Sequence, residues 1–171
     1  MTTISKFRWF WAWDDEKEET WLGEMARQGW HLQVVRPVGN YTFEAGEPRD
    51  VAYRLDFFTD HKNKESYLQL FQDAGWEHVG EYGSWQYFRK PVLEGEPPEI
   101  FTDNESKIKK YQRVMVLLAV LLPIYIPMLN SLNRRPGILF GIMTFIVFVI
   151  MVLFGYSLAM LLRRINQLRK V

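Results

Sequence analysis

Ile138 to Leu162 is a run of 25 residues without a single charged side chain. As a helix rising ~1.5 Å per residue it would extend about 37 Å, enough to cross a ~30 Å hydrocarbon core with some tilt. A second apolar run, Val114 to Leu132, is interrupted by Pro123 and Pro127. Proline removes a backbone donor, but transmembrane helices tolerate it where neighbours re-satisfy the freed carbonyl. Residues 114–132 and 138–162 are therefore read as a two-helix transmembrane hairpin. A re-entrant or interfacial segment is the alternative for the first.

Charge divides the chain the same way. All twenty acidic residues lie between Asp14 and Glu105, and the chain up to Glu105 holds eleven Lys and Arg, a net of −9. The other ten basic residues fall from Lys107 onward. Lys107, Lys109, Lys110 and Arg113 precede the first span, and Arg163, Arg164, Arg169 and Lys170 follow the second, whereas the connecting turn holds only Arg134 and Arg135. The positive-inside rule then places both termini in the cytoplasm, and the N-terminus lacks the long apolar core of a signal peptide. Gly137-x-x-x-Gly141 and Gly155-x-x-x-Ala159 offer close helix packing. The expected partner is the protein's own first span, with a homodimer through the second transmembrane helix as the alternative.

The N-terminal part is a duplication. At a shift of 46 residues Arg8 falls on Arg54, Asp14 on Asp60, Leu22 on Leu68, Gly29 on Gly75 and Trp30 on Trp76. Phe7 meets Tyr53, Trp9 meets Leu55, Trp11 meets Phe57, Trp21 meets Tyr67 and Met25 meets Phe71 without a gap. So many matches in one register mark an internal repeat.

Each copy, about 6–45 and 52–91, reads strand-helix-strand-strand. The first strand alternates Phe7, Trp9, Trp11 and Trp13 along one face; its counterpart alternates Val51, Tyr53, Leu55 and Phe57. Asp14 or Asp15, then Asp60, are the helix caps, with Glu16, Glu18 and Glu19 at the positive end of the first helix dipole. Trp21, Leu22, Met25 and Ala26 form one apolar stripe, and Tyr67, Leu68 and Phe71 the other. Gly29 and Gly75 are left-handed stops. Strand pairs 30–35 with 41–44 and 76–81 with 85–89 follow, turned by Gly39-Asn40 and Gly83-Ser84. The expected class is α+β: a tandem strand-helix-strand-strand module over residues 1–91, with both helices on one face of a largely antiparallel sheet. Residues 92–113 form a linker and basic juxtamembrane segment, and 163–171 a basic tail.

The segments Glu19-Thr-Trp-Leu-Gly-Glu-Met-Ala-Arg-Gln-Gly-Trp-His-Leu32, Tyr41-Thr-Phe-Glu-Ala-Gly-Glu-Pro48, Tyr53-Arg-Leu-Asp-Phe57, Ala74-Gly-Trp-Glu-His-Val79 and Trp85-Gln-Tyr-Phe-Arg-Lys-Pro91 together resemble the bacterial family called domain of unknown function 2812. That resemblance implies C-terminal transmembrane segments, hence the bacterial inner membrane. It also implies genes beside PadR-type regulators and a role in sensing envelope stress or toxic compounds. It supplies no catalytic residues. At the level of fold alone, tandem strand-helix-strand-strand modules are similar to GyrI-like ligand-binding domains, which hold small molecules between their copies.

Seven tryptophans fall between Trp9 and Trp85. Trp9, Trp11, Trp13, Trp30, Trp76 and Trp85 are the candidate walls of a site for a flat or lipophilic ligand, with core packing as the competing reading. Arg8 and Arg54, matched by the repeat, are candidates to converge on an anion; Glu44, Asp56 and Glu81 offer the opposite charge. Cysteine is absent, excluding disulfides, thiolate metal sites and cysteine nucleophiles. His31, His61 and His78 have no metal-ligand spacing, and no phosphate loop, dinucleotide fingerprint or nucleophile elbow occurs. No metal, cofactor or catalytic activity is expected. The acidic domain is ill suited to nucleic acid, whose binding draws on phosphate contacts. The expected function is a membrane-anchored ligand-binding or sensory module. Its partners would be the bilayer and a lipophilic small molecule; the alternative is an accessory subunit docking on a membrane transporter or regulator.

Overall fold

The computed structural model describes residues 2–93, 97–101, 103–133 and 137–170. Arg134 and Arg135 of the expected connecting turn, Glu94 to Glu96 and Thr102 of the expected linker, and Val171 of the tail lie outside the described residues. The chain divides into two units, residues 1–106 and 107–171.

In the first unit the elements run β1 (Thr3–Phe7), α1 (Asp15–Arg27), β2 (Trp30–Arg36), β3 (Asn40–Ala45), β4 (Val51–Phe57), a 3-10 turn at His61–Asn63, α2 (Lys64–Asp73), β5 (Glu77–Tyr82) and β6 (Trp85–Pro91). They form two antiparallel three-stranded sheets, β1-β3-β2 and β4-β6-β5. The duplication is visible in detail. A β-bulge between Leu32 and Val34 recurs between His78 and Gly80, and the helix stops Gly29 and Gly75 have φ of 82° and 80°. Both features sit 46 residues apart, the spacing of the sequence repeat.

The first strand ends earlier than its alternation predicts. Phe7 pairs with Asn40, the first residue of β3, and the Arg8 amide donates to the Gly39 carbonyl at 2.9 Å. Beyond that rung β3 has turned away and there is no backbone left to pair with. Trp9, Trp11 and Trp13 therefore leave the sheet, in a segment closed by the Asp14 amide donating to the Trp11 carbonyl.

The helices do not share one face of a sheet. Trp21, Leu22, Met25 and Ala26 of α1 enter a core with Leu32, Tyr41 and Phe43 of the first sheet and Val51, Tyr53, Leu55 and Tyr87 of the second. α2 builds a separate cluster on the opposite side of the second sheet, where Phe71 and Trp76 meet Ala52 and Phe88. The reason lies in β4. Val51, Tyr53 and Leu55 point one way and Ala52 the other, so both faces are apolar and each takes a helix. β2 and β5 lie side by side where the sheets adjoin, and the Leu32 amide donates to the Tyr53 hydroxyl at 3.3 Å.

Part of the linker is anchored to this unit. Ile100 packs on the α2 cluster, and Glu99 accepts from Arg54 at 2.7 Å.

The second unit contains most of α3 (Asn104–Asn133, with Pro123 and Pro127 inside it) and α4 (Ile138–Leu168). Both are long and apolar enough to cross a membrane, α4 by the wider margin. Ile138, Leu139, Phe145, Phe148 and Val152 of α4 are exposed, as a lipid-facing surface requires. Tyr125 and Phe154 meet edge to face at 5.6 Å. Among the described residues nothing lies within 4 Å of a Cβ placed at Gly141 or Gly155, so no described part of α3 packs into the small-residue spacing.

The two helix stops provide a test. Alanine at Gly75 would meet only the flexible end of Lys90, whereas at Gly29 its Cβ would lie 2.7 Å from the Gly46 carbonyl oxygen. Gly75→Ala is expected to cost about 1–2 kcal/mol, the left-handed penalty alone. Gly29→Ala is expected to cost more. Denaturant unfolding of the full chain followed by tryptophan fluorescence measures both, since every tryptophan lies in this unit.

Candidate ligand cleft

Three segments border an open cleft of about 290 Å³ in the first unit: the irregular stretch after β1, the β2–β3 turn and the β5–β6 hairpin. Trp9, Phe10 and Trp11 form one wall, and Tyr82 and Trp85 another. Trp9 meets Trp11 edge to face at 5.7 Å, and Trp11 lies parallel to Trp13 at 5.3 Å. Having left the sheet, these rings support one another. Trp9 and Trp11 remain 52% and 40% exposed, a large apolar surface to leave in water. Val38 borders the cleft as well. Its φ of 63°, beside Gly39 at 70°, is a left-handed conformation uncommon for a β-branched residue.

The inner end is polar. Glu18, only 7% exposed, accepts from the Tyr41 and Tyr87 hydroxyls on one carboxylate oxygen, each at 2.8 Å. These tyrosines are 46 residues apart, so the same residue of each copy converges on one acid. Asp15, three residues earlier on α1, is also buried and borders the cleft. Among the described residues no Lys, Arg or His lies within 4 Å of the Glu18 carboxylate. Burial pushes the Glu18 carboxyl above its ordinary range; the two tyrosine donors oppose this, and Asp15 adds to it. Burial, then the charge of Glu18, raises both tyrosine hydroxyls.

The candidate residues read from the sequence separate into groups. Trp9, Trp11 and Trp85 line the cleft. Trp13 backs Trp11. Trp30 packs against the α1 core, and Trp76 is buried under α2. Arg8 and Arg54 do not converge on a common site. Arg8 lies beyond the end of β1 with its guanidinium 5.2 Å from the Phe10 and Trp21 rings. Arg54 sits within β4, bonded to Glu99 and 3.6 Å from Glu19. Their sequence match does not survive because the first strand stops before Arg8. Glu44 is bonded to Gln33 and Glu81 to Lys64 and Gln86, and Asp56 accepts from Tyr67. His31 contacts the Glu47 carbonyl and His78 contacts Gln86. Among the described residues no group of three His, Asp or Glu side chains could hold a metal.

Glu18, Tyr41, Tyr82 and Tyr87 were not among the expected site residues. The recurrence of Tyr41 at Tyr87 was the available signal. Glu18 was hidden because a glutamate in the first turn of a helix is ordinarily a solvated dipole partner.

The family described as "Protein of unknown function (DUF2812)" matches residues 14–122. The chain belongs to that family. The match takes in α1, the whole second copy and much of α3, so it covers most of the residues around the cleft. No curated protein and no solved structure matches the chain.

The buried acid makes stability pH-dependent in a defined direction. A carboxyl raised in the folded state favours folding when protonated, and that contribution is lost as pH rises from the ordinary value of 4.5 through the raised one. Glu18→Gln keeps an acceptor for both tyrosines without the charge. It should match or exceed the wild type at neutral pH, and the wild type should gain on it as pH falls towards 4.5. Glu18→Ala leaves two buried hydroxyls unpaired and should cost about 1–3 kcal/mol or more. Thermal melts of the three proteins across that pH range read both effects.

Proposed function

We propose that this protein is a membrane-anchored ligand-binding module that takes a lipophilic small molecule into the cleft and serves a sensory role at the inner face of the cell membrane. The observation that carries this reading is the cleft itself: an open concavity with aromatic walls and a buried polar inner end, the usual composition of a small-molecule site. The hairpin supports it, because a lipophilic compound concentrates in the bilayer beside which the domain is held. The charge distribution supports the cytoplasmic placement of both termini.

Binding is tested on the full chain in detergent micelles by titrating tryptophan fluorescence with a panel of lipophilic antibiotics and lipids. Saturable quenching is expected, weakened about tenfold or more by Trp11→Ala, since an aromatic wall of this size supplies more than 1.4 kcal/mol. Trp76→Phe, on the far side of the second sheet, should leave it unchanged. A flat response across the panel would instead favour docking of a partner protein on the exposed Trp9 and Trp11.

Topology is tested with single cysteines, which the natural absence of cysteine makes clean. In intact cells an impermeant maleimide is expected to label Asn130→Cys, beside the connecting turn, but neither Thr59→Cys nor Gln167→Cys. The reverse pattern would overturn the cytoplasmic placement.

A further inference from the structure

We propose that the cleft takes a flat organic cation, with Glu18 as its counter-charge and the aromatic walls as its π contacts; the inference rests on the cleft being a ligand site. Three observations select the cation. Glu18 is buried at the inner end of an open cavity, where it accepts hydrogen bonds from two neutral hydroxyls. A buried carboxylate is costly unless paired with a cation, and no side chain of the described protein supplies one within 4 Å. The walls are the second observation. Indole and phenol rings present a negative face that attracts cations, most strongly where water is excluded, and Trp9, Trp11, Tyr82 and Trp85 place four such rings along the cleft. The third is the wider field. Residues up to Glu105 carry a net charge of −9, which raises the local concentration of cations and repels anions.

Volume and shape narrow the class further. About 290 Å³ is at the lower end of the range for ligand pockets, room for a molecule of two or three fused rings rather than a long amphiphile. Trp11, backed in parallel by Trp13, is 40% exposed and offers a planar guest indole surface. Two groups oppose the assignment: Arg36, exposed on β2, borders the same cleft, and the Arg8 guanidinium lies 5.2 Å from the Phe10 ring of its wall and acts on Tyr41. Both residues are exposed and screened by water, whereas Glu18 is shielded from solvent, so the acid dominates the inner end.

The experiment uses the full chain in phosphatidylcholine nanodiscs, with empty discs as the blank, and three probes of one three-ring outline. These are aminoacridine, cationic at neutral pH, anthracenemethanol, neutral, and anthracenecarboxylate, anionic. Equilibrium dialysis is expected to show one saturable aminoacridine site per chain, about tenfold or more tighter than for the neutral probe, the scale of one charge-assisted contact. Glu18→Gln should remove most of that preference and leave the neutral probe's affinity unchanged. Arg36→Gln lies on the surface and does not disturb the core. It should tighten aminoacridine about two- to fivefold, the scale of removing one screened like charge, and it keeps the test decisive if Glu18→Gln does not fold. Equal binding of all three probes, or a cation preference indifferent to both substitutions, would overturn the cation while leaving the cleft a ligand site. Binding of none of the three would overturn both.

Discussion

One carboxylate oxygen holds the two halves of the domain to a common point. Glu18 stands on α1, Tyr41 on β3 of the first copy and Tyr87 on β6 of the second, and both hydroxyls donate to it. Everything around that point follows from α1 being shared between the sheets. Its apolar stripe belongs to a core containing residues of both copies, and Glu19, the next residue, accepts from the Leu55 amide at 2.8 Å. Neither copy has a complete core without the other. The polar cluster is what a hydrophobic helix face alone would not supply, because burial is non-directional and would tolerate α1 sliding or rotating. Hydrogen bonds to three separate strands fix its register.

Much of this arrangement was legible in the sequence, for identifiable reasons. The stripe Trp21, Leu22, Met25 and Ala26 has helical spacing and is wholly buried. The glycines that end the helices adopt the left-handed conformation their positions called for. The hairpins 30–36 with 40–45 and 77–82 with 85–91 are close to those expected, because their turns contain residues suited to positive φ. What was not legible depended on a partner distant in the chain. Alternation of Phe7, Trp9, Trp11 and Trp13 is a period-two pattern, but a strand continues only while a neighbour offers backbone, and β3 begins at Asn40. Aromatic alternation in an irregular segment reads the same as aromatic alternation in a strand.

The candidate site was half legible for a related reason. Three of the tryptophans chosen for their size do line the cleft. The acid at its inner end could not be picked from twenty acidic residues, since composition places acids on the surface and only the fold buries Glu18. Arg8 and Arg54 looked equivalent because the repeat aligns their letters. The structure separates them, one past the end of an edge strand and one inside a strand packed on both faces.

Duplication usually leaves a site with two related ways to be filled. Here the two tyrosines of the inner end inherit the repeat, with Tyr41 and Tyr87 as its two images, but the acid between them does not: the position 46 residues after Glu18 is Lys64, which pairs with Glu81 on the surface. The concavity therefore has a head and a tail. Its buried acid stands at one end only, so the duplicated chain lacks the twofold degeneracy that a pocket between two identical copies would have. An unsymmetrical molecule can be read by such a pocket in one orientation, as no strictly symmetric pair of identical copies could do.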